Sequence, residues 1–114
     1  HMGRPDVTQP LDGPGFQAFA NLMADMPNLW TKVSCPERLT VAGPPYDDVV
    51  PFQRHLIEYF SDRVLWGTDW PHPNMKSHRP DDGLLVDTIA RIAPTAALQQ
   101  ALLVDNPMRL YWSD

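Results

Sequence analysis

Phe16, Phe19, Ala20, Met23 and Met26 recur at helical spacing and Pro27 follows them, which predicts a helix over 14–26. The period then changes, and Leu29 to Ser34 alternates as a strand does. A second helix is predicted from about Asp48 to Phe60, with Asp47 or Asp48 as its cap and Pro51 accommodated in the first turn. Val49, Phe52, Leu56 and Tyr59 would form its apolar face. Val64 to Thr68 begins with the short apolar run that a strand buried on both faces requires, and Pro71 and Pro73 stop it. Further on, Asp81 or Asp82 starts a helix with Leu85, Ile89 and Ile92 inward, and Pro94-Thr95 separates it from another around Ala96 to Leu103. Asn106-Pro107 opens a last helical turn, Asn as cap and Pro at the first helical position.

Helix, strand, helix, strand, helices is the rhythm of βαβ units in a parallel sheet, so the fold class is α/β. Two strands do not complete such a sheet, because each parallel strand needs neighbours on its edges and helices on its faces. The chain therefore reads as part of a larger α/β fold. No internal repeat, glycine-rich phosphate loop or cysteine pair points to another architecture.

Composition narrows the function. A chain of 114 residues, 43% of them hydrophobic, has the material for a core, and disorder is not expected. The net charge of −5 speaks against a nucleic-acid partner, and the lack of an apolar run of about 18 residues speaks against a membrane span. With no secretory signal in view and a single cysteine, Cys35, the cytoplasm is the expected compartment. The 13 prolines concentrate irregular chain around Pro5 to Pro14, Pro36 to Pro45 and Pro71 to Pro80, and long loops carry function or belong to something larger.

The run Arg63 to His72 drives an apolar strand into a carboxylate, Asp69, at the C-terminal end where α/β enzymes place reacting groups. Such an acid can take a proton from water or ligate a metal, or simply cap its loop. His72 beside it either shares the site or fixes the loop by hydrogen bonding. Arg38, on the loop that follows the first strand, should open on the same face as Asp69 and suits an anionic ligand, with an ion pair to Glu37 or Glu58 as the structural alternative. Cys35 reads as a small packed residue rather than a nucleophile, since no base partners it. His1 and Arg4 sit in a glycine-proline turn that, by itself, is an exposed terminus, and His-Met at a chain start is also what an expression vector leaves. Tyr46 is either a lid over the site or turn packing; His55 belongs to a helix face and His78 to an exposed polar loop.

These motifs carry a resemblance. Val64-Leu65-Trp66-Gly67-Thr68-Asp69-Trp70-Pro71-His72 resembles the last-strand motif of the amidohydrolase-2 branch of the (β/α)8 metal-dependent hydrolases, and Asn106-Pro107-Met108-Arg109-Leu110-Tyr111 resembles its terminal asparagine-led helix. Within that branch, His1 to Asp6, Ser34 to Thr40 and Gly43 to Asp48 resemble the 2-pyrone-4,6-dicarboxylate lactonases, so the likeness covers nearly the whole chain. The resemblance implies a C-terminal fragment of a single (β/α)8 TIM-barrel domain, spanning 1–114, with Leu29 to Ser34 as seventh strand, Val64 to Thr68 as eighth, and the upstream strands missing. His1 then becomes the native histidine that ends the sixth strand. The implied chemistry is opening of a pyrone dicarboxylate lactone to 4-oxalomesaconate or its enol, in the cytoplasmic breakdown of lignin-derived aromatics. Asp69 and His1 would be catalytic, Arg38 and Arg4 would bind substrate carboxylates, and His72 and Tyr46 would support the site. An unperturbed aspartate titrates near ~3.9, so Asp69 would be ionised and able to act as a base.

By the same resemblance no metal cofactor is expected. In metal-dependent amidohydrolases or decarboxylases of the branch, which remain the alternative, His1 and Asp69 would ligate a divalent ion such as zinc or manganese. The expected partners are a small dicarboxylate substrate and the missing barrel half, without which the fragment is expected to be inactive. A non-catalytic α/β module that pairs through its open sheet edge is the reading from a different class.

Overall fold

The computed structural model describes residues 1–75 and 79–112, so the predicted loop histidine His78 lies outside the described residues. The first helix, α1 (Pro14–Asp25), forms where the apolar spacing places it, with Pro14 in the first turn and Phe16, Ala20 and Met23 buried. The two strands also pair as expected, in parallel, but over two residues each: β1 (Thr31–Lys32) lies beside β2 (Val64–Leu65), Thr31 opposite Val64 and Lys32 opposite Leu65. Two flanking bonds, Thr31 N to Arg63 O (3.2 Å) and Val33 N to Leu65 O (2.8 Å), complete the pairing, and the chain turns into the left-handed conformation just beyond the predicted strand ends, at Cys35 (φ 57°) and Asp69 (φ 65°). Between the strands come α2 (Pro36–Leu39), a helical turn where a loop was expected, and α3 (Val50–Tyr59).

Two details of α3 differ from the sequence expectation. Neither Asp47 nor Asp48 caps it, since the N-cap is Val49 without a side-chain bond. Asp48 instead accepts from Thr40 Oγ1 (2.6 Å), Val41 N (2.8 Å) and Ala42 N (3.2 Å), so its oxygens close the preceding loop. Tyr59 is 70% exposed, because the buried stripe runs through Val49, Phe52, Gln53, Leu56, Ile57 and Phe60, the i, i+3, i+4 face directed at the core. The Tyr59 ring rests on His55, 4.5 Å between centroids, and His55 also meets Phe16 edge-on.

After β2, Asp81 caps α4 (Asp82–Asp87) by accepting from Gly83 N, and Thr88 separates it from α5 (Ile89–Ile92). Leu85 and Ile92 are buried as predicted, while Ile89 is half-buried. Thr95 caps α6 (Ala96–Gln100), which continues through a π-helical turn, Ala101–Asp105, into α7 (Asn106–Tyr111). Asn106 is therefore not the predicted cap. Its backbone N–H reaches back to Ala101 O, the wider π spacing, and this continues the helix into Pro107, which has no N–H to contribute. Its side chain, 1% exposed, donates to Ser61 O (2.6 Å) and Val64 O (2.9 Å) and accepts from Arg109 Nη2 (2.9 Å), which locks the C-terminal helix under β2. Replacing Asn106 by Ala should lower stability by about 2–3 kcal/mol, read from urea unfolding, because two carbonyls lose their donor in a buried place.

The core lies between the strand pair and these helices, with Met2, Met23, Val33, Leu56, Ile57, Val64 and Ile92 fully buried. Arg63 ties α1 to β1: its Nη1 donates to the carbonyls of Met23 (2.9 Å), Met26 (2.8 Å) and Leu29 (3.2 Å). No helix among the described residues is long and apolar enough to cross a membrane.

Candidate active site

Because β1 and β2 are parallel, the segments beyond their C-terminal ends open on one side of the sheet, and the polar residues singled out from the sequence gather there. Beyond β1, Ser34 and Cys35 lead into α2 with Arg38 in its last turn; beyond β2, the chain turns at Asp69. The N-terminal segment adds His1 through a turn closed by Arg4 N to His1 O at 3.0 Å. The His1 ring is held by a 2.6 Å hydrogen bond between Nδ1 and Ser34 Oγ. Its Nε2 lies 3.9 Å from Asp69 Oδ1, and Arg38 Nη2 lies 3.8 Å from Asp69 Oδ2. The Asp69 carboxylate, 23% exposed, is thus flanked by an imidazole and a guanidinium. His1, Arg4, Cys35, Arg38 and Leu39 line a cavity of about 200 Å³ in front of them.

A partly exposed carboxylate between an imidazole and a guanidinium that themselves line a cavity with Arg4 has the chemistry to attract an anionic molecule and to remove a proton from a water held beside it. Arg38 also donates to Cys35 Sγ at 3.4 Å, a contact that, with the carboxylates nearby, raises its pKa and keeps the guanidinium charged. Cys35 is 1% exposed, and its Sγ lies 3.6 Å from His1 Nε2, a base partner that the sequence reading did not find; burial pushes the thiol up to about 11, which favours its protonated form.

His72 is not in the cavity. It is 2% exposed, with Nε2 2.8 Å from Asp82 Oδ1 and Nδ1 3.3 Å from Glu37 Oε1. Its backbone N–H donates to Asp69 O at 2.7 Å, closing a turn whose ends, Asp69 (φ 65°) and His72 (φ 60°), both take the left-handed conformation. Non-glycine residues pay for that conformation, and such strain gathers at functional sites. Tyr46, 2% exposed, is packed in the core beside Glu37 rather than free to close as a lid, and burial raises its hydroxyl pKa.

Glu37 is the residue that sequence reasoning underused. The sequence offers Glu37 and Glu58 as ion-pair partners for Arg38, but Glu58 pairs with Arg54 at 2.9 Å and Glu37 turns inward to His72. Successive residues of a helical turn point about 100° apart, so once 36–39 is helical Arg38 and Glu37 serve different surroundings. The Glu37 side chain is 3% exposed, and burial raises its carboxyl pKa.

Two clusters have the residue types of a metal site, His1 with Cys35 and Asp69, and Glu37 with Asp69 and His72. In the first, the Arg38 guanidinium stands against both Asp69 and Cys35; in the second, the bond of His72 Nε2 to Asp82 leaves Nδ1 directed at Glu37, a set of one imidazole and two carboxylates whose residue types fit a divalent ion.

Known proteins share this arrangement of chain. A family profile described as amidohydrolase matches residues 1–112. A 2-pyrone-4,6-dicarboxylate hydrolase of Comamonas testosteroni is 63% identical over 122 aligned positions, covering 100% of this chain and 40% of that protein. A 4-sulfomuconolactone hydrolase of Rhizobium radiobacter is 42% identical, covering 97% of this chain and 38% of that protein. Among solved structures, an Agrobacterium tumefaciens protein in its apo form superposes with a TM-score of 0.81 at 31% identity, over 100% of this chain and 40% of its own. A Pseudomonas putida protein, provisionally assigned as a 2-pyrone-4,6-dicarboxylic acid hydrolase, gives 0.74 at 34% identity over 98% of this chain and 41% of its own. The chain thus spans about two fifths of the length of the relatives it matches. With the family profile matched along all but its last two residues, the chain belongs to the amidohydrolase family.

Proposed function

We propose that this chain is the C-terminal part of a (β/α)8 barrel, with β1 and β2 as its seventh and eighth strands, and that the complete protein is a cytoplasmic lactonase. Its substrate is 2-pyrone-4,6-dicarboxylate, opened to 4-oxalomesaconate or its enol in the breakdown of lignin-derived aromatics. The observation that carries this reading is the Asp69 carboxylate set between His1 and Arg38 at the mouth of two parallel strands. The likeness to a hydrolase named for that pyrone supports the choice of substrate.

The residues divide the work. Asp69 accepts a proton from water as its oxygen adds to the lactone carbonyl. When the tetrahedral adduct collapses, the ring C–O bond breaks and the proton returns from Asp69 to the departing enol oxygen. His1, fixed by Ser34, directs its Nε2 to the same place and stabilises the charge that develops on the carbonyl oxygen. Arg38 and Arg4 pair with the ring carboxylates, which offsets locally the unfavourable net charge of −5. None of these steps is routed through a metal.

The test is an ultraviolet assay of pyrone opening by the protein completed with its upstream barrel, with and without chelator. Opening that survives chelator supports the metal-free lactonase. Opening lost with chelator and restored by added zinc or manganese moves the protein to the metal-dependent members of the family, and no opening at all removes this substrate.

A further inference from the structure

Of the second cluster, Glu37, Asp69 and His72, the proposed hydrolysis uses only Asp69. One carboxylate oxygen from each acid and one ring nitrogen of His72 lie within 4.8 Å of one another. The Glu37 and His72 side chains are 3% and 2% exposed. Both Glu37 oxygens and His72 Nδ1 are buried with no hydrogen-bond partner among the described residues. Atoms that give up water without gaining a bond are costly and rare, so three of them gathered in one place call for an occupant.

The geometry suits a metal ion. His72 Nε2 lies 2.8 Å from Asp82 Oδ1, so the ring proton belongs on that nitrogen and Nδ1 keeps its lone pair. A carboxylate behind a ligating histidine fixes the tautomer and the orientation of the ring in just this way. Nδ1 faces Glu37 Oε1 at 3.3 Å. Two ligands of a tetrahedral ion with bonds of about 2.1 Å stand roughly 3.4 Å apart, so this pair is already at ligating separation. Charge points the same way, since Glu37, Asp69 and Asp82 bring three carboxylates around one imidazole. Arg38 faces Asp69, and among the described residues no lysine or arginine forms an ion pair with Glu37, although Arg79 shares a cavity with it. One nitrogen with two carboxylates favours a first-row ion over calcium or magnesium, which take oxygen ligands.

We propose that Glu37, Asp69 and His72 bind a divalent first-row ion, zinc or manganese, with Asp82 orienting the His72 ring. The inference does not need the lactonase reading, because binding is measured without turnover. Calorimetric titration of the complete, chelator-stripped protein with zinc chloride or manganese chloride alone should show one ion bound per chain, and the thermal midpoint should rise with ion concentration. Glu37→Gln and His72→Gln should each weaken binding at least tenfold. Asp82→Asn should weaken it by about tenfold, as loss of the group behind a ligating histidine does. His1→Ala should bind the ion as the wild type does. Asp82 is 38% exposed, so its Asn variant keeps the proposal testable should a buried substitution fail to fold. Absence of binding in the wild type overturns the proposal. So does binding that is lost in His1→Ala and kept in Glu37→Gln, which puts the ion between His1 and Asp69 instead. A protein that binds the ion as expected but never opens the pyrone upholds this site and refutes the lactonase reading, and one that opens the pyrone but binds no ion does the reverse.

Discussion

Asn in place of Asp69 should leave the complete protein folded and stop lactone opening, with kcat lower by about 10² to 10⁴, the range a positioned general base supplies. The substitution isolates the chemistry unusually well. Asn has the shape of Asp, and of the non-glycine residues these two tolerate the left-handed conformation best, so the φ of 65° at this position adds no new strain. The carboxylate makes ion contacts at 3.8 and 3.9 Å rather than close hydrogen bonds, and it is 23% exposed, so little packing or bonding is lost with the charge. The amide has no lone pair basic enough to take a proton from water. Pyrone absorbance measures the turnover and thermal unfolding measures the fold. Turnover near wild type would remove Asp69 as the base, whereas a large fall in the thermal midpoint would give the carboxylate a structural role instead.

The features that could be read from the sequence are those with local causes. Helix α1 is set by its apolar spacing and by Pro14 and Pro27, all within one short segment, and the Asp81 cap by a neighbour two positions away. Asn106 was misread because a cap is a local device, whereas the partners of its amide, Ser61 and Val64, lie 45 and 42 positions away and meet it only in the folded chain. Asp48 was misread for a similar reason: it had two sets of backbone N–H groups within reach, and the loop at 40–42 won over the helix. In the site, the apolar run ending at Asp69 and the loop after β1 located the acid and Arg38 from pattern alone. His1 had no such signal, since nothing local separates it from a loose terminus; only resemblance pointed to it, and the structure brings it to Asp69 through Ser34. Glu37 went unrecognised because its partner is a histidine 35 positions on, in a loop whose fold no periodicity describes.

Exchange of Arg38 for Met should raise KM for the pyrone dicarboxylate by roughly 10- to 100-fold and change kcat far less. A hydrogen bond to a charged group is worth about 1.5–3 kcal/mol, and about 1.4 kcal/mol is a factor of ten in affinity. The guanidinium is 17% exposed and lines the cavity, so a substrate carboxylate that meets it is largely shielded from water and screening removes little of that energy. Met fills similar space, which separates loss of the charged fork from loss of packing. Two effects compete here, because Arg38 faces both the cavity and Asp69. If its main role is to hold substrate, the same contact exists before and during reaction, and the loss falls on KM. If its main role is to steady Asp69 as the proton moves, kcat falls and KM holds. Arg38→Lys sharpens the distinction: a point charge keeps the attraction for Asp69 but not the two-pronged grip on a carboxylate, so Lys should keep kcat at the wild-type level and recover KM only in part relative to Met.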